Sequence, residues 1–105
     1  MLFVIRYDEA LEAAKNAAAK NTPAAKQAWL DKIDEACKFA QVAGMDKKNL
    51  ALLRTELLGK FSDYKTHPWL PLRDHKSYLE WYRLALHYGM KPQANYFLFQ
   101  ARKGP

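Results

Sequence analysis

The sequence predicts an all-α fold: a compact bundle of four to five helices, with a helix-turn-helix-like hairpin as a candidate motif, forming one domain over residues 1–105. Three observations predict it. Apolar residues recur at three- and four-residue steps over long stretches, the period of helices with one buried face. Helix start and stop residues punctuate those stretches, at Thr22-Pro23, Gly44, Asp46 and Gly89. The 105 residues are also 50% hydrophobic, enough for a single core without disulfide or metal support.

The alanine-rich stretch 10–19 has high helix propensity, because alanine loses no side-chain entropy on ordering. Asp8 and Glu9 suit its first turn and Lys20 its last, complementing the helix dipole. With Leu11 its one large apolar residue, this helix is expected to pack closely and at the periphery. The apolar residues 2–7 before it are short enough to form a strand.

The next start is sharper. Thr22 can accept from the first turn, and Pro23 occupies a position where a missing N–H costs nothing. From there to Ala43, Trp29, Leu30, Ile33, Cys37 and Ala40 make one apolar stripe. Asp31, Asp34 and Glu35 form an acidic face opposite, with Lys38 placed to pair with Asp34 at i+4. Gly44 supplies a left-handed stop and Asp46 the cap of a third helix, whose stripe is Leu50, Leu53, Leu57, Leu58 and Phe61.

Between Ser62 and Asp74 the helical period disappears. His67-Pro68-Trp69-Leu70-Pro71-Leu72 reads as an extended or turn segment, since proline restricts the residue before it. Asp74 is placed to cap a fourth helix running to Tyr88. That helix is apolar around much of its circumference, so it is either central or turned in part toward a partner. Lys91-Pro92 restarts a short helix to about Ala101, with Tyr96, Phe97, Leu98 and Phe99 as its apolar cluster, for which a strand is the alternative.

Ala40-x3-Gly44-Met45, followed by Leu50 and Leu53, has the spacing of a helix-turn-helix, which would put Lys47 and Lys48 at the front of a recognition helix. The same residues also make an ordinary αα-hairpin with a glycine stop. The length of the preceding helix and the outward position of Leu52 favour the hairpin. The signal recurs at Ala85-x3-Gly89-Met90, too few copies for a repeat architecture.

Charge is unevenly placed within a net of +6. Residues 1–52 carry eight basic and seven acidic side chains, whereas residues 53–105 carry nine and four. Ten of the fourteen aromatic residues share the basic half. Cations neutralise phosphates and rings stack on bases, so the expected function is non-enzymatic nucleic-acid binding, in an accessory or regulatory role. The candidate phosphate contacts are Lys47, Lys48, Arg54, Arg73, Lys76, Arg83, Lys91, Arg102 and Lys103. The competing expectation is a protein-interaction module, a small subunit, adaptor or inhibitor docking on a larger protein or nucleoprotein complex. Trp69, Trp81 and Tyr82 would be its anchors.

Catalytic chemistry finds little support. The sequence has neither a His-x3-His nor a Cys-x2-Cys pair, and no glycine-rich loop to cradle phosphate, so no metal or cofactor is expected. Cys37, the single cysteine, falls on an apolar stripe and reads as an inert core thiol. A lone thiol and the absence of a secretory or membrane-spanning apolar run point to a cytoplasmic protein with no membrane association.

Overall fold

The hub of the molecule is its first helix. The computed structural model describes residues 3–70 and 78–103. In it, α1 (Phe3–Lys20) packs against α2 (Pro23–Val42), α3 (Lys47–Thr66) and α4 (Tyr78–His87), while α5 (Lys91–Lys103) pairs with α4. The all-α bundle expected from the sequence is the observed architecture, and no described residue lies in a strand.

The peripheral position expected for the alanine-rich helix is overturned. The helix begins at Phe3 rather than near Asp8, which adds Phe3, Val4 and Tyr7 to its buried face. Below them Ala10, Ala14 and Ala17 are almost fully buried, because small side chains let α2 and α3 approach the α1 backbone. Residues 3–7 are therefore helix and not strand. The Phe3 N–H, an orphan donor at the helix start, reaches Gln93 Oε1 on α5 at 2.6 Å. Asn21, with φ of 52°, ends α1 in a left-handed turn.

The caps read from the sequence are present. Thr22 Oγ1 accepts from the Ala25 N–H at 3.2 Å, and Asp46 Oδ1 from the Asn49 N–H at 2.8 Å. The two Ala-x3-Gly-Met segments are one structural device used twice. Met45 N–H bonds Ala40 O at 2.9 Å and Met90 N–H bonds Ala85 O at 2.8 Å. Gly44 and Gly89, with φ of 101° and 73°, carry the left-handed turn between them. Each is a Schellman cap, in which the buried methionine packs over the buried alanine, so the recurrence reflects shared turn chemistry.

The first hairpin is antiparallel along its whole length and not a crossed helix-turn-helix. Arg54 meets Asp34 at 2.9 Å, each ten residues from Gly44. Farther out, the Trp29 and Phe61 rings stack at 5.1 Å. Helices crossing at the steep angle of a helix-turn-helix would have diverged well before those positions. α1 lies along one side of this pair, fastened by Arg6 and Lys32 to Glu9 and Glu35 at 3.2–3.9 Å. The acidic face of α2 is therefore shared out: Glu35 to α1, Asp34 to Arg54 instead of Lys38, and Asp31 to Gln27.

The second hairpin, α4 and α5, joins the first through Tyr88. Its ring is fully buried against Phe3, edge-on at 5.4 Å, and its hydroxyl bonds Glu56 on α3. Phe97 fills the hairpin itself, against Trp81 at 5.3 Å and Tyr78 at 6.4 Å. No described helix is long and apolar enough to cross a membrane.

Candidate nucleic-acid interface

Position along a helix decides which of the α5 rings face out. Tyr96, Phe97, Leu98 and Phe99 span three consecutive steps of about 100°, so one core cannot take all four. Phe97 goes inward with Ala94. Tyr96 and Phe99 go outward, and the Phe99 ring is 63% exposed. The four read from the sequence as one apolar cluster, and helical spacing divides them between a buried and an exposed face.

The outward rings stand among cations. Lys103 follows Phe99 by four residues and Arg102 by three, while Asn95 precedes it by four and Lys91 precedes Asn95 by four. All of these side chains are exposed, and they line the same outer side of α5. The helix, KPQANYFLFQARK, contains no carboxylate to neutralise them.

Lys47 and Lys48 belong to the same end of the molecule as Lys91. The turn at Gly89 abuts the first turn of α3, so closely that a Cβ on Gly89 would lie 2.9 Å from Asn49 Nδ2. Two helix N-termini, with their partial positive charges and three exposed lysines, thus share one pole. Cations in a first turn oppose the helix dipole, so the fold gains nothing from them there. Asp46 already caps the α3 N-terminus, so it is the excess of three lysines over this carboxylate that suits the pole to a further anion.

The remaining candidates are dispersed. Arg83 is exposed on α4. Arg54 is taken up by Asp34 in the α2/α3 groove, away from α5. Arg73 and Lys76 lie outside the described residues, as does the Asp74 cap. Among the proposed protein anchors, Trp81 is half-buried between Tyr78 and Phe97, and Tyr82 is half-buried on α4. Trp69 is 73% exposed, its ring edge-on to His67 at 5.0 Å in a turn closed by Leu70 N–H to His67 O. Lys15 Nζ holds that turn to α1 by donating to Leu70 O at 2.7 Å.

The titratable groups nearest to chemistry serve the core. Cys37 is buried, and burial pushes its thiol up, away from the thiolate a nucleophile needs. Glu56 receives the Tyr88 hydroxyl on one oxygen and contacts His87 Nε2 at 3.1 Å on the other. Burial, then this bond to Glu56, pushes the Tyr88 phenol far up; burial and the same carboxylate push Tyr7 up to about 12. This cluster ties α4 to α3 and was missed in the sequence, because Tyr88 read as one more apolar residue beside a glycine stop. Among the described residues, no three His, Cys, Asp or Glu side chains converge on a metal-sized site. Comparison of the chain with known protein families, with curated proteins and with solved structures found no match.

Proposed function

We propose that the protein is a non-enzymatic nucleic-acid-binding domain, with α5 and the adjoining pole at Lys47, Lys48 and Lys91 as its contact surface. The observation that carries this reading is Phe99, an exposed ring on a helix whose exposed charges are all positive. A phenylalanine left in water stabilises nothing in the fold; on an unpaired base it stacks, while Lys91, Arg102 and Lys103 neutralise phosphates alongside. Rings presented in this way favour single strands, since duplex bases are already stacked. The contacts would position the strand with little base preference.

Titrating labelled single-stranded and duplex DNA and RNA, with fluorescence anisotropy as the readout, tests the reading. Five or six phosphate contacts to a single strand predict a log–log salt slope of about −4, a loss of about a hundred- to three-hundredfold between roughly 50 and 200 mM salt. Duplex should bind more weakly than the single strand. Absence of binding at the lowest salt sinks the proposal.

A second reading is favoured by Trp69. A tryptophan exposed on a short turn is a typical interface anchor, and with it the domain would act as an interaction module on a larger protein or nucleoprotein complex. Its contacts would weaken little with salt.

A further inference from the structure

We infer that the outer groove between α2 and α3 is a docking site for an acidic amphipathic helix of a protein partner. This groove lies apart from α5 and does not depend on the nucleic-acid reading. α1 covers one side of the α2/α3 pair; among the described residues the other side stays open, with a groove of about 350 Å³ between Lys38 and Gln41 on α2 and Leu50 and Ala51 on α3. Its floor includes Cys37, and the Asp34–Arg54 pair crosses it midway. One helical turn farther on, Leu30 and Leu58 are both partly exposed, and the stacked Trp29 and Phe61 lie beyond them.

Charge identifies the occupant. Lys26 and Lys65 stand over the Phe61 ring at 5.6 and 5.9 Å, and Lys38 borders the other end. None of these three lysines forms an ion pair among the described residues. Of the nearby carboxylates, Asp34 is paired with Arg54, while Asp31 bonds the neutral Gln27 amide and keeps its charge, which leaves the three lysines in excess. Apolar residues at Cys37, Leu50 and Ala51, with Leu30 and Leu58 beyond the Asp34–Arg54 pair, bordered by an excess of cations, fit a helix with leucines on one face and glutamates beside them. A second copy of this chain would bring like charge to the same place. From Gln41 to Lys26 the groove runs about 22 Å at the helical rise, room for four turns of a third helix.

The test uses the full-length chain labelled with ¹⁵N and a synthetic peptide of about 18 residues carrying leucines at helical spacing with glutamates between them. A peptide of the same composition, with the leucines scattered around the helix, controls for charge alone. The expected result is amide shifts concentrated at Leu30, Asp34, Leu50 and Leu58 with the amphipathic peptide only. Leu58→Glu, and separately Lys26→Glu/Lys65→Glu, should each weaken binding by about tenfold or more. The double lysine variant changes exposed side chains only, so it reports even if Leu58→Glu disturbs the fold. Phe99→Ala should leave peptide binding unchanged. Equal binding of the scattered peptide, no shifts in the groove, or groove shifts produced by an oligonucleotide instead would overturn the assignment.

Discussion

The hydroxyl of Tyr88, at the end of α4, donates to the Glu56 carboxylate in the middle of α3. That bond fastens the second hairpin to the rest of the bundle across a junction that also holds the His87–Glu56 contact, the Phe3 N–H bond to Gln93 and aromatic packing against Phe3 and Tyr7. Removing the hydroxyl by Tyr88→Phe keeps the ring and deletes the bond to Glu56 together with the hydroxyl's bond to Tyr7. A hydrogen bond to a charged group contributes about 1.5–3 kcal/mol, and because Glu56 retains some access to water the lower end applies. Urea unfolding should show a loss of about 1.5 kcal/mol with an unchanged m-value. A loss below about 0.5 kcal/mol would mean that the Tyr88 hydroxyl contributes little to holding the hairpin.

The same junction shapes the response to alkali. The Tyr7 and Tyr88 phenols are pushed up in the folded protein, so between the unfolded value near 10 and the folded values the unfolded chain binds fewer protons. The phenols' contribution is therefore complete below about pH 10 and falls as pH rises above it, by at most about 1.4 kcal/mol per pH unit for each. The Cys37 thiol, also pushed up by burial, adds a decline that starts about one pH unit lower. Unfolding midpoints measured from pH 8 to 12 should be flat and then decline, and Tyr7→Phe should decline less steeply.

Gly89 and Asn49 offer a direct check that the α4–α5 turn meets the start of α3. Gly89→Ala places a Cβ in the left-handed region, at about 1–2 kcal/mol, and drives it against the Asn49 side chain. Combining it with Asn49→Ala should recover about 0.5 kcal/mol or more, a coupling that thermal or urea unfolding resolves. Gly44→Ala, where nothing lies within 4 Å of the added Cβ, should show strain without that coupling. Strict additivity of Gly89→Ala and Asn49→Ala would separate Lys91 from Lys47 and Lys48.

The central position of α1 is testable through its alanines. Ala14 has no exposed surface, and Ala14→Leu inserts volume where α2 and α3 close on the helix. Overpacking of this kind costs about 1–3 kcal/mol. Were the helix peripheral, the same change would be nearly neutral, and circular dichroism melting distinguishes the two.

Legibility in the sequence followed the range of each interaction. Caps and stops depend on residues three to five apart, so Thr22, Asp46, Gly44 and Gly89 could be read directly, and with them the order of the helices. The role of α1 could not, because its hub position depends on where α2 and α3 come to rest, and alanine content alone suits a central helix as well as an outlying one. Partners distant in the chain were equally hidden: Arg54 for Asp34, Gln93 for the Phe3 N–H, Glu56 for Tyr88. In the candidate interface the cations were legible as a count, but not the division of α5 into buried Phe97 and exposed Phe99. Nor could the sequence show that Arg54 is engaged elsewhere.

Comparing Phe99→Ala with Trp69→Ala in one single-strand binding assay, at fixed low salt, tests the central claim most directly. Both residues are exposed, so neither change should disturb the fold, which circular dichroism verifies. Loss of one stacked base costs about 1–3 kcal/mol, so Phe99→Ala should weaken binding by about tenfold or more while Trp69→Ala leaves it unchanged. Full affinity in Phe99→Ala, or a loss confined to Trp69→Ala, would contradict the assignment of α5 as the nucleic-acid face.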